Sequence, residues 1–216
     1  MFKQDVLSRI LKTGVIAIVR LDSAESLQKV ADAVLEGGVD VIEFTMTTPG
    51  ALSILESAAR KFGDRVILGA GTVLDPESAQ AAILAGAQFI VSPNLKAKTV
   101  ELCQRYGTVS VPGVLTPTEI VEALEAGADL IKVFPASAVG GPDYIKAVLA
   151  PLPQARLVPT GGVEAENAGD YIRAGAAAVA VGGSLVNKKL VASGDFGKMT
   201  EIARRLVETV TAARKG

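Results

Sequence analysis

The pattern that most constrains the fold of this chain is a unit that recurs along its length: a helical stretch, a glycine and a short apolar run. The glycine that separates the helical stretch from the apolar run lies within each of four segments: 36–40, 85–88, 126–129 and 174–177. Glycine suits these positions because helices often end on a residue in the left-handed conformation. With the runs between them, eight strand-like segments are predicted: 14–20, 39–44, 65–70, 87–92, 108–112, 128–134, 155–159 and 176–181.

Eight even units of strand and helix predict an α/β fold built on parallel strands. The segments start about 20–27 residues apart, and each interval is filled by a helical stretch. The segments are apolar almost throughout, as in strands that are buried on both faces. We therefore expect a (β/α)8 TIM barrel. The alternative is an open doubly wound sheet.

Both ends of the chain predict helices outside this repeat. An extra N-terminal helix is indicated by apolar residues at helical spacing, namely Phe2, Val6, Leu7 and Ile10. A final helix over 196–213 has one apolar stripe, which is made of Met199, Ile202, Ala203, Leu206 and Val210. Because no linker or change of composition interrupts the chain, we expect residues 1–216 to form a single domain.

Composition excludes several classes of function. The 216 residues are 49% hydrophobic and carry a net charge of −1, so nucleic-acid binding has no electrostatic support. No apolar run reaches the roughly 18 residues of a membrane span. The single Cys103 allows no intrachain disulfide and fits a cytoplasmic location. The absence of histidine excludes imidazole-based acid–base catalysis and zinc sites that need imidazole.

Lys132 lies inside the sixth strand-like segment, where a charged side chain is unusual. Burial favours the neutral amine and can lower a lysine pKa by up to about 3–5 units. A neutral amine adds to carbonyl carbon, so a Schiff base becomes possible. The alternative is a lysine that reaches solvent at the strand end or forms a salt bridge.

Glu43 interrupts the second segment in the same way. Side chains alternate between the two faces of a strand. In the second segment one face therefore carries Val41, Glu43 and Thr45, and in the sixth segment one face carries Leu130, Lys132 and Phe134. If both faces point into the barrel, Glu43 and Lys132 meet near the carboxyl ends of the strands, where barrel enzymes hold their active sites. A buried ion pair without a catalytic role is the alternative.

Two glycine loops predict an anion site. Thr160-Gly161-Gly162 follows the seventh segment, and Gly182-Gly183-Ser184 follows the eighth. Glycine lets backbone N–H groups approach an anion, and barrels often bind phosphate at these two loops. Each Gly-Gly pair is also typical of a tight turn, and Ser184 could instead be a helix N-cap.

Together these residues resemble the 2-keto-3-deoxy-6-phosphogluconate (KDPG) aldolase family, which includes 4-hydroxy-2-oxoglutarate (KHG) aldolases. The similarity covers essentially the whole chain. Seven segments carry it in order: Ile42-Glu-Phe-Thr45, Gly69-Ala-Gly-Thr-Val73, Phe89-Ile-Val-Ser-Pro93, Val111-Pro-Gly-Val114, Ile131-Lys-Val-Phe-Pro135, Pro159-Thr-Gly-Gly162 and Gly182-Gly-Ser184.

The resemblance implies a class I, metal-independent aldolase, which is a lyase. It would cleave KDPG to pyruvate and glyceraldehyde 3-phosphate, and 4-hydroxy-2-oxoglutarate to pyruvate and glyoxylate. No cofactor is implied, because Lys132 would form the Schiff base and Glu43 would act as general acid and base. The implied partners are the 2-keto-acid substrate, pyruvate and two further copies of the chain in a homotrimer.

The resemblance also implies roles for the residues around this pair. Thr72 would hold the keto-acid carboxylate, Phe134 would cover the reacting carbon, and Pro93 would form part of the wall of the substrate pocket. The phosphate end would be lined by Thr160, Gly161, Gly162, Gly182, Gly183 and Ser184.

The chain departs from the family pattern at Thr47, a residue that the resemblance places in the pocket for the substrate carboxylate. Some members carry an arginine there that grips the pyruvate carboxylate, and a threonine supplies no bidentate cationic group. Our hypothesis is that Arg20, at the end of the first segment, supplies the positive charge instead.

Two other functions are alternatives to the aldolase. The chain could be a natural or engineered homo-oligomeric scaffold built on the same barrel, with a structural main role. It could also be a phosphate-binding barrel isomerase, which would explain the glycine loops but would leave Lys132 without a role.

Overall fold

The structure is a computed structural model that describes residues 1–20 and 26–215. Strands and helices alternate along most of these residues. The strands are β1 (Val15–Val19), β2 (Val41–Thr45), β3 (Ile67–Gly71), β4 (Phe89–Val91), β5 (Val109–Val111), β6 (Gly113–Val114), β7 (Ile131–Val133), β8 (Leu157–Pro159) and β9 (Val179–Val181). The helices are α1 (Lys3–Thr13), α2 (Leu27–Glu36), α3 (Ala51–Phe62), α4 (Pro76–Leu84), α5 (Ala97–Tyr106), α6 (Pro117–Glu125), α7 (Pro142–Leu149), α8 (Ala168–Arg173), α9 (Lys188–Ser193) and α10 (Phe196–Ala213).

The strands pair in parallel and curl into a continuous surface. Six of them pair in the order β5-β4-β3-β2-β1-β9, and three pair in the order β6-β7-β8. Backbone contacts link the two groups on both sides. Leu130 donates a hydrogen bond to the Ser110 carbonyl at 3.2 Å, and Thr160 forms a parallel bridge with Ala180. A curled parallel sheet confirms the predicted α/β class.

A further short strand follows the fifth predicted strand. β5 ends at Val111 and β6 begins at Gly113, because Pro112 between them has no N–H to donate to a neighbouring strand. The Pro112 carbonyl still accepts a hydrogen bond from the Lys132 backbone N–H at 2.9 Å. The strand predicted over 108–112 is thus observed as β5, which is one residue shorter at each end.

Alternation along the strands separates two apolar clusters. In β1, Ile16 and Ile18 belong to an inner cluster with Phe89, whereas Val15, Ala17 and Val19 belong to the outer core under the helices. In β2, Val41 lies in the inner cluster and Ile42 in the outer core. Because side chains alternate with a period of two, Glu43 is on the inner face, as predicted.

Helix α1 packs at the amino ends of the strands. Its buried residues Val6, Leu7 and Ile10 join the inner cluster. Ion pairs fix it there: Lys3 lies 2.9 Å from Asp129, which precedes β7, and Arg9 lies 2.6 Å from Asp40, which precedes β2. This end of the sheet is therefore filled, and the carboxyl ends stay open.

Helix α10 packs against α2 and α8. Its buried stripe contains Met199, Ala203, Leu206 and Val210, as predicted, whereas Ile202 is only half-buried. None of the helices described has the length and apolar character needed to cross a membrane.

Candidate active site

An open cavity of about 720 Å³ lies at the carboxyl ends of the strands. It is lined by the residues Ile18, Arg20, Glu43, Thr72, Pro93, Lys132, Phe134, Thr160, Gly161, Gly162, Val163, Glu164, Ala180, Gly182, Gly183, Ser184, Val186, Asn187, Lys188 and Lys189. The structure thus brings together every site residue predicted from the sequence except Thr47.

Lys132 stands in the middle of β7 with its side chain only 7% exposed. Its burial lowers the pKa of the amine, the nearby Arg20 lowers it further, and the Glu43 carboxyl opposes the shift. The side chain lines the cavity, and among the described residues no ion pair within 4.0 Å includes it. Its Nζ atom lies 5.0 Å from the centre of the Phe134 ring.

Glu43 stands in the middle of β2 and is 1% exposed. Its burial raises the pKa of the carboxyl group, while the charges of Lys132 and Arg20 act in the opposite direction. The Oε2 atom is buried and has no hydrogen-bond partner among the described residues. Desolvation therefore shifts the two pKa values toward each other, and it favours a neutral amine beside a neutral acid.

Thr72 follows β3 in a conformation that side chains rarely adopt, with φ at +58°. A β-branched residue in the left-handed region is strained, and such strain persists only where the surrounding structure fixes it. Thr72 reaches the cavity directly after the glycine that ends β3. Pro93, which follows the neighbouring strand β4, also lines the cavity, and the lining residue Phe134 has 39% of its surface exposed.

The loop after β8 needs glycine at two successive positions. Gly161 and Gly162 have φ angles of +88° and +76°. A methyl group at Gly161 would lie 3.4 Å from the Phe134 ring, and one at Gly162 would overlap Ser137. The glycines thus allow the backbone to run close to the cavity.

The loop after β9 is one tight turn closed by hydrogen bonds from Leu185 and Val186 to the Gly182 carbonyl, at 2.9 and 2.8 Å. The Ser184 hydroxyl donates to the Val163 carbonyl at 3.0 Å and so joins the two glycine loops. The alternative that Ser184 caps a helix is wrong, because α9 begins at Lys188 and Asn187 caps it.

Thr47 lies outside the cavity. It is exposed, and its hydroxyl donates to Thr45 Oγ1 at 3.1 Å, beside a Thr45–Thr48 contact of 3.4 Å. Arg20, the residue proposed to replace the missing arginine, does line the cavity.

Four polar lining residues were missed in the sequence: Glu164, Asn187, Lys188 and Lys189. The two lysines stand at the start of α9, shortly after the second glycine loop. Adjacent cations there, in a chain of nearly balanced charge, were the signal that could have identified them.

A curled parallel sheet that holds a buried amine beside a buried carboxyl group defines a class of protein: an enzyme that acts on carbonyl compounds through a lysine. Comparison with known proteins narrows the class. The family model described as "KDPG and KHG aldolase" matches residues 6–202. The chain belongs to this family and is a lyase.

Individual relatives agree with the family model. The 2-dehydro-3-deoxy-phosphogluconate aldolase of Treponema pallidum is 37% identical over 92% of this chain and 94% of its own. The 2-dehydro-3-deoxy-6-phosphogalactonate aldolase of Escherichia coli is 38% identical over 81% of this chain and 85% of its own. A further match is the solved structure of KDPG aldolase from Legionella pneumophila, which holds pyruvate captured as a covalent carbinolamine intermediate. It is 29% identical to this chain, superimposes with a TM-score of 0.87, and the match covers 95% of this chain and 98% of that chain.

Proposed function

We propose that this chain is a class I aldolase that cleaves KDPG to pyruvate and glyceraldehyde 3-phosphate through a Schiff base on Lys132. The observation that carries the proposal is a buried lysine, with a pKa lowered by desolvation, in one cavity with Glu43 and both glycine loops. The covalent pyruvate adduct of the Legionella relative supports the same chemistry without an external cofactor. Cleavage of 4-hydroxy-2-oxoglutarate to pyruvate and glyoxylate uses the same steps.

The reaction starts when the neutral amine of Lys132 adds to the C2 carbonyl and gives a carbinolamine. The carbinolamine takes a proton from the Glu43 carboxyl group and loses water, which gives an iminium ion and leaves Glu43 as a carboxylate. The iminium accepts electrons from the C3–C4 bond. When Glu43 takes the proton of the C4 hydroxyl, that bond breaks, the aldehyde leaves, and an enamine remains. Glu43 then returns the proton to C3, and water hydrolyses the new iminium to release pyruvate and the amine. General acid–base assistance of this kind is typically worth about 10²–10⁴-fold.

The remaining lining residues form two groups, one that binds the carboxylate end of the substrate and one that binds its phosphate end. Thr72 and Arg20 hold the keto-acid carboxylate, Phe134 covers the reacting carbon, and Pro93 forms the wall. The glycine loops around Ser184 take the phosphate. This division is supported by the single cavity that these residues share.

The phosphate end has two further cations, Lys188 and Lys189, beside the second glycine loop. Their charge favours a phosphorylated keto-acid over an unphosphorylated one. The gluconate and galactonate series differ at a carbon between the two ends, so charge at the ends does not discriminate between them.

We also infer the larger organisation of the chain. The two strand groups close into a (β/α)8 barrel with α1 as an extra N-terminal helix, which is supported by the backbone contacts that link the groups on both sides. Residues 1–216 form one domain. The domain assembles as a homotrimer, as the family resemblance implies, and the cytoplasmic location stays a prediction. The aldolase is favoured over a structural scaffold because the relatives named here are aldolases.

Borohydride reduction in the presence of pyruvate, followed by peptide mass mapping, tests the central claim. A stable adduct on Lys132 is expected, together with aldehyde release from KDPG in a coupled assay. An adduct on another lysine, or no adduct, would refute the proposal. Light scattering on the same sample measures the oligomer, where three chains are expected and a much larger closed assembly would favour a scaffold.

A further inference from the structure

Strand β3 presents two glycines to the inner face of the sheet, at Gly69 and Gly71. The space that side chains would fill there is occupied by neighbours. A methyl group at Gly69 would overlap the ring of Phe89, which belongs to the inner cluster. A methyl group at Gly71 would overlap Oε1 and Cδ of Glu43 and would lie 2.7 Å from its Cγ. The Glu43 carboxyl group therefore occupies the place of the missing side chain at Gly71.

Packing, rather than hydrogen bonding, fixes this carboxyl group. Its Oε2 atom is buried without a hydrogen-bond partner, and no other hydrogen bond from the described residues reaches the Glu43 side chain. A carboxylate without fixed hydrogen bonds can take a proton from a substrate hydroxyl without first breaking an internal contact. Its position then depends on the residues packed around it, and the space beside Gly71 of β3 is the space that it occupies.

The backbone at Gly71 has little freedom to move away. Gly71 is in register with Thr45 of β2, and its carbonyl accepts a hydrogen bond from Met46 at 2.7 Å. The next residue, Thr72, is already held at a φ of +58°. An added methyl group must therefore be accommodated by movement of Glu43, and not by the strand.

We propose that Gly71 is a positioning residue: its lack of a side chain sets where the Glu43 carboxyl group stands opposite Lys132. Non-bonded atoms pack favourably at about 3.5–4.0 Å, so a methyl group at Gly71 would displace the carboxyl group by about 1 Å or more. Misplacement of a catalytic group by about 1 Å can cost about 10²-fold in rate. The inference rests on the proposed role of Glu43 and adds the residue that holds it.

The test compares Gly71→Ala with the wild type and with Gly197→Ala. Gly197, in the first turn of α10, is exposed, and among the described residues a methyl group there would meet only Asp195 Oδ1, at 3.9 Å. We expect G71A to lose about 10²-fold in kcat for KDPG cleavage, to shift the acidic limb of the kcat–pH profile, and to retain borohydride trapping of pyruvate on Lys132. G197A should match the wild type in all three measurements.

A double variant distinguishes displacement of Glu43 from general damage. Removing the Glu43 side chain makes room for the methyl group, so E43A/G71A should fold as well as E43A and trap pyruvate at the same rate, even if G71A alone folds poorly. If the double variant is much less stable than E43A, the added methyl group acts elsewhere and the inference is overturned.

Different results would refute the aldolase function and the positioning role of Gly71. If the wild type neither traps pyruvate nor cleaves KDPG, the proposed function is wrong. If the wild type does both, and G71A cleaves at the wild-type rate with an unchanged pH profile, Gly71 does not position Glu43.

Discussion

Replacement of Lys132 by methionine should stabilise the protein while it abolishes turnover. The lysine side chain is 7% exposed, and burial lowers the pKa of its amine, which means that folding with a charged amine costs free energy. Methionine is a similar unbranched chain without charge, and its sulfur can contact the Phe134 ring that now lies 5.0 Å from Nζ. Replacement of a buried ion pair by apolar residues of similar volume is often neutral or stabilising by about 1–4 kcal/mol. Since no described residue forms an ion pair with Lys132 within 4.0 Å, its loss leaves no partner unpaired, and we expect a gain within that range near neutral pH.

The dependence on pH makes this prediction specific. An unfolded lysine titrates near a pKa of about 10.4, and the folded Lys132 titrates below it. Between those two values the unfolded chain binds more protons, so the free energy of unfolding rises with pH by at most about 1.36 kcal/mol per unit. Methionine has no proton to lose. The advantage of Lys132→Met should therefore be largest below the folded-state pKa and should shrink as the pH approaches about 10.4.

The measurement is urea unfolding at several pH values and one protein concentration, because association would otherwise contribute to the apparent stability. The pair to compare is Glu43→Gln and Glu43→Gln/Lys132→Met, since Glu43 also titrates with a raised pKa. An advantage that is independent of pH would show that Lys132 has an ordinary pKa. A loss of stability at every pH would show that its charge is well compensated in the folded protein, and either result would refute the reasoning.

Four further results are expected. Glu43→Gln should keep trapping of pyruvate but lose about 10²–10⁴-fold in turnover, and unchanged turnover would remove Glu43 from the mechanism. Arg20→Leu should raise the KM for pyruvate in the aldol direction by about tenfold, as for a lost charged hydrogen bond, and an unaffected KM would contradict its carboxylate role. Lys189→Glu should raise the KM for phosphorylated substrates by about threefold more than for unphosphorylated ones, and an equal effect on both would rule out phosphate recognition. Cys103 is buried and desolvation raises its pKa to about 12, so iodoacetamide should label it only after unfolding, as mass spectrometry can measure.

The positions of the strands could be predicted because buried parallel strands leave a strong signal in sequence. Their runs are apolar on both faces, and several are preceded by a glycine at the end of a helix, such as Gly86 at φ +106° and Gly127 at φ +89°. The same alternation that separates the inner cluster from the outer core put Glu43 and Lys132 on inward faces. A charged residue inside such a run is conspicuous, which is why both were found without coordinates.

The parts that were missed depend on contacts between strands, which one sequence does not record. Gly71 looks like any strand-end glycine until the register with β2 places the Glu43 carboxyl group in its side-chain space. Thr47 follows a strand end, but it is exposed, its hydroxyl donates to Thr45, and it does not line the cavity. The short strand β6 was not predicted, because Gly113–Val114 is too short to leave an apolar pattern of its own.

The absence of histidine explains why burial must be so complete around this pair. A group that transfers protons near pH 7 works best with a pKa near 7, and an ordinary lysine or glutamate lies several units away on either side. Desolvation lowers the pKa of Lys132 and raises that of Glu43, so one physical cause moves both toward the working range. A close ion pair would undo both shifts, because each charge would stabilise the other. Under the proposed mechanism the cavity must therefore keep the amine and the carboxyl group near each other without direct contact, and the proposed role of Gly71 is to leave the space in which Glu43 stays buried.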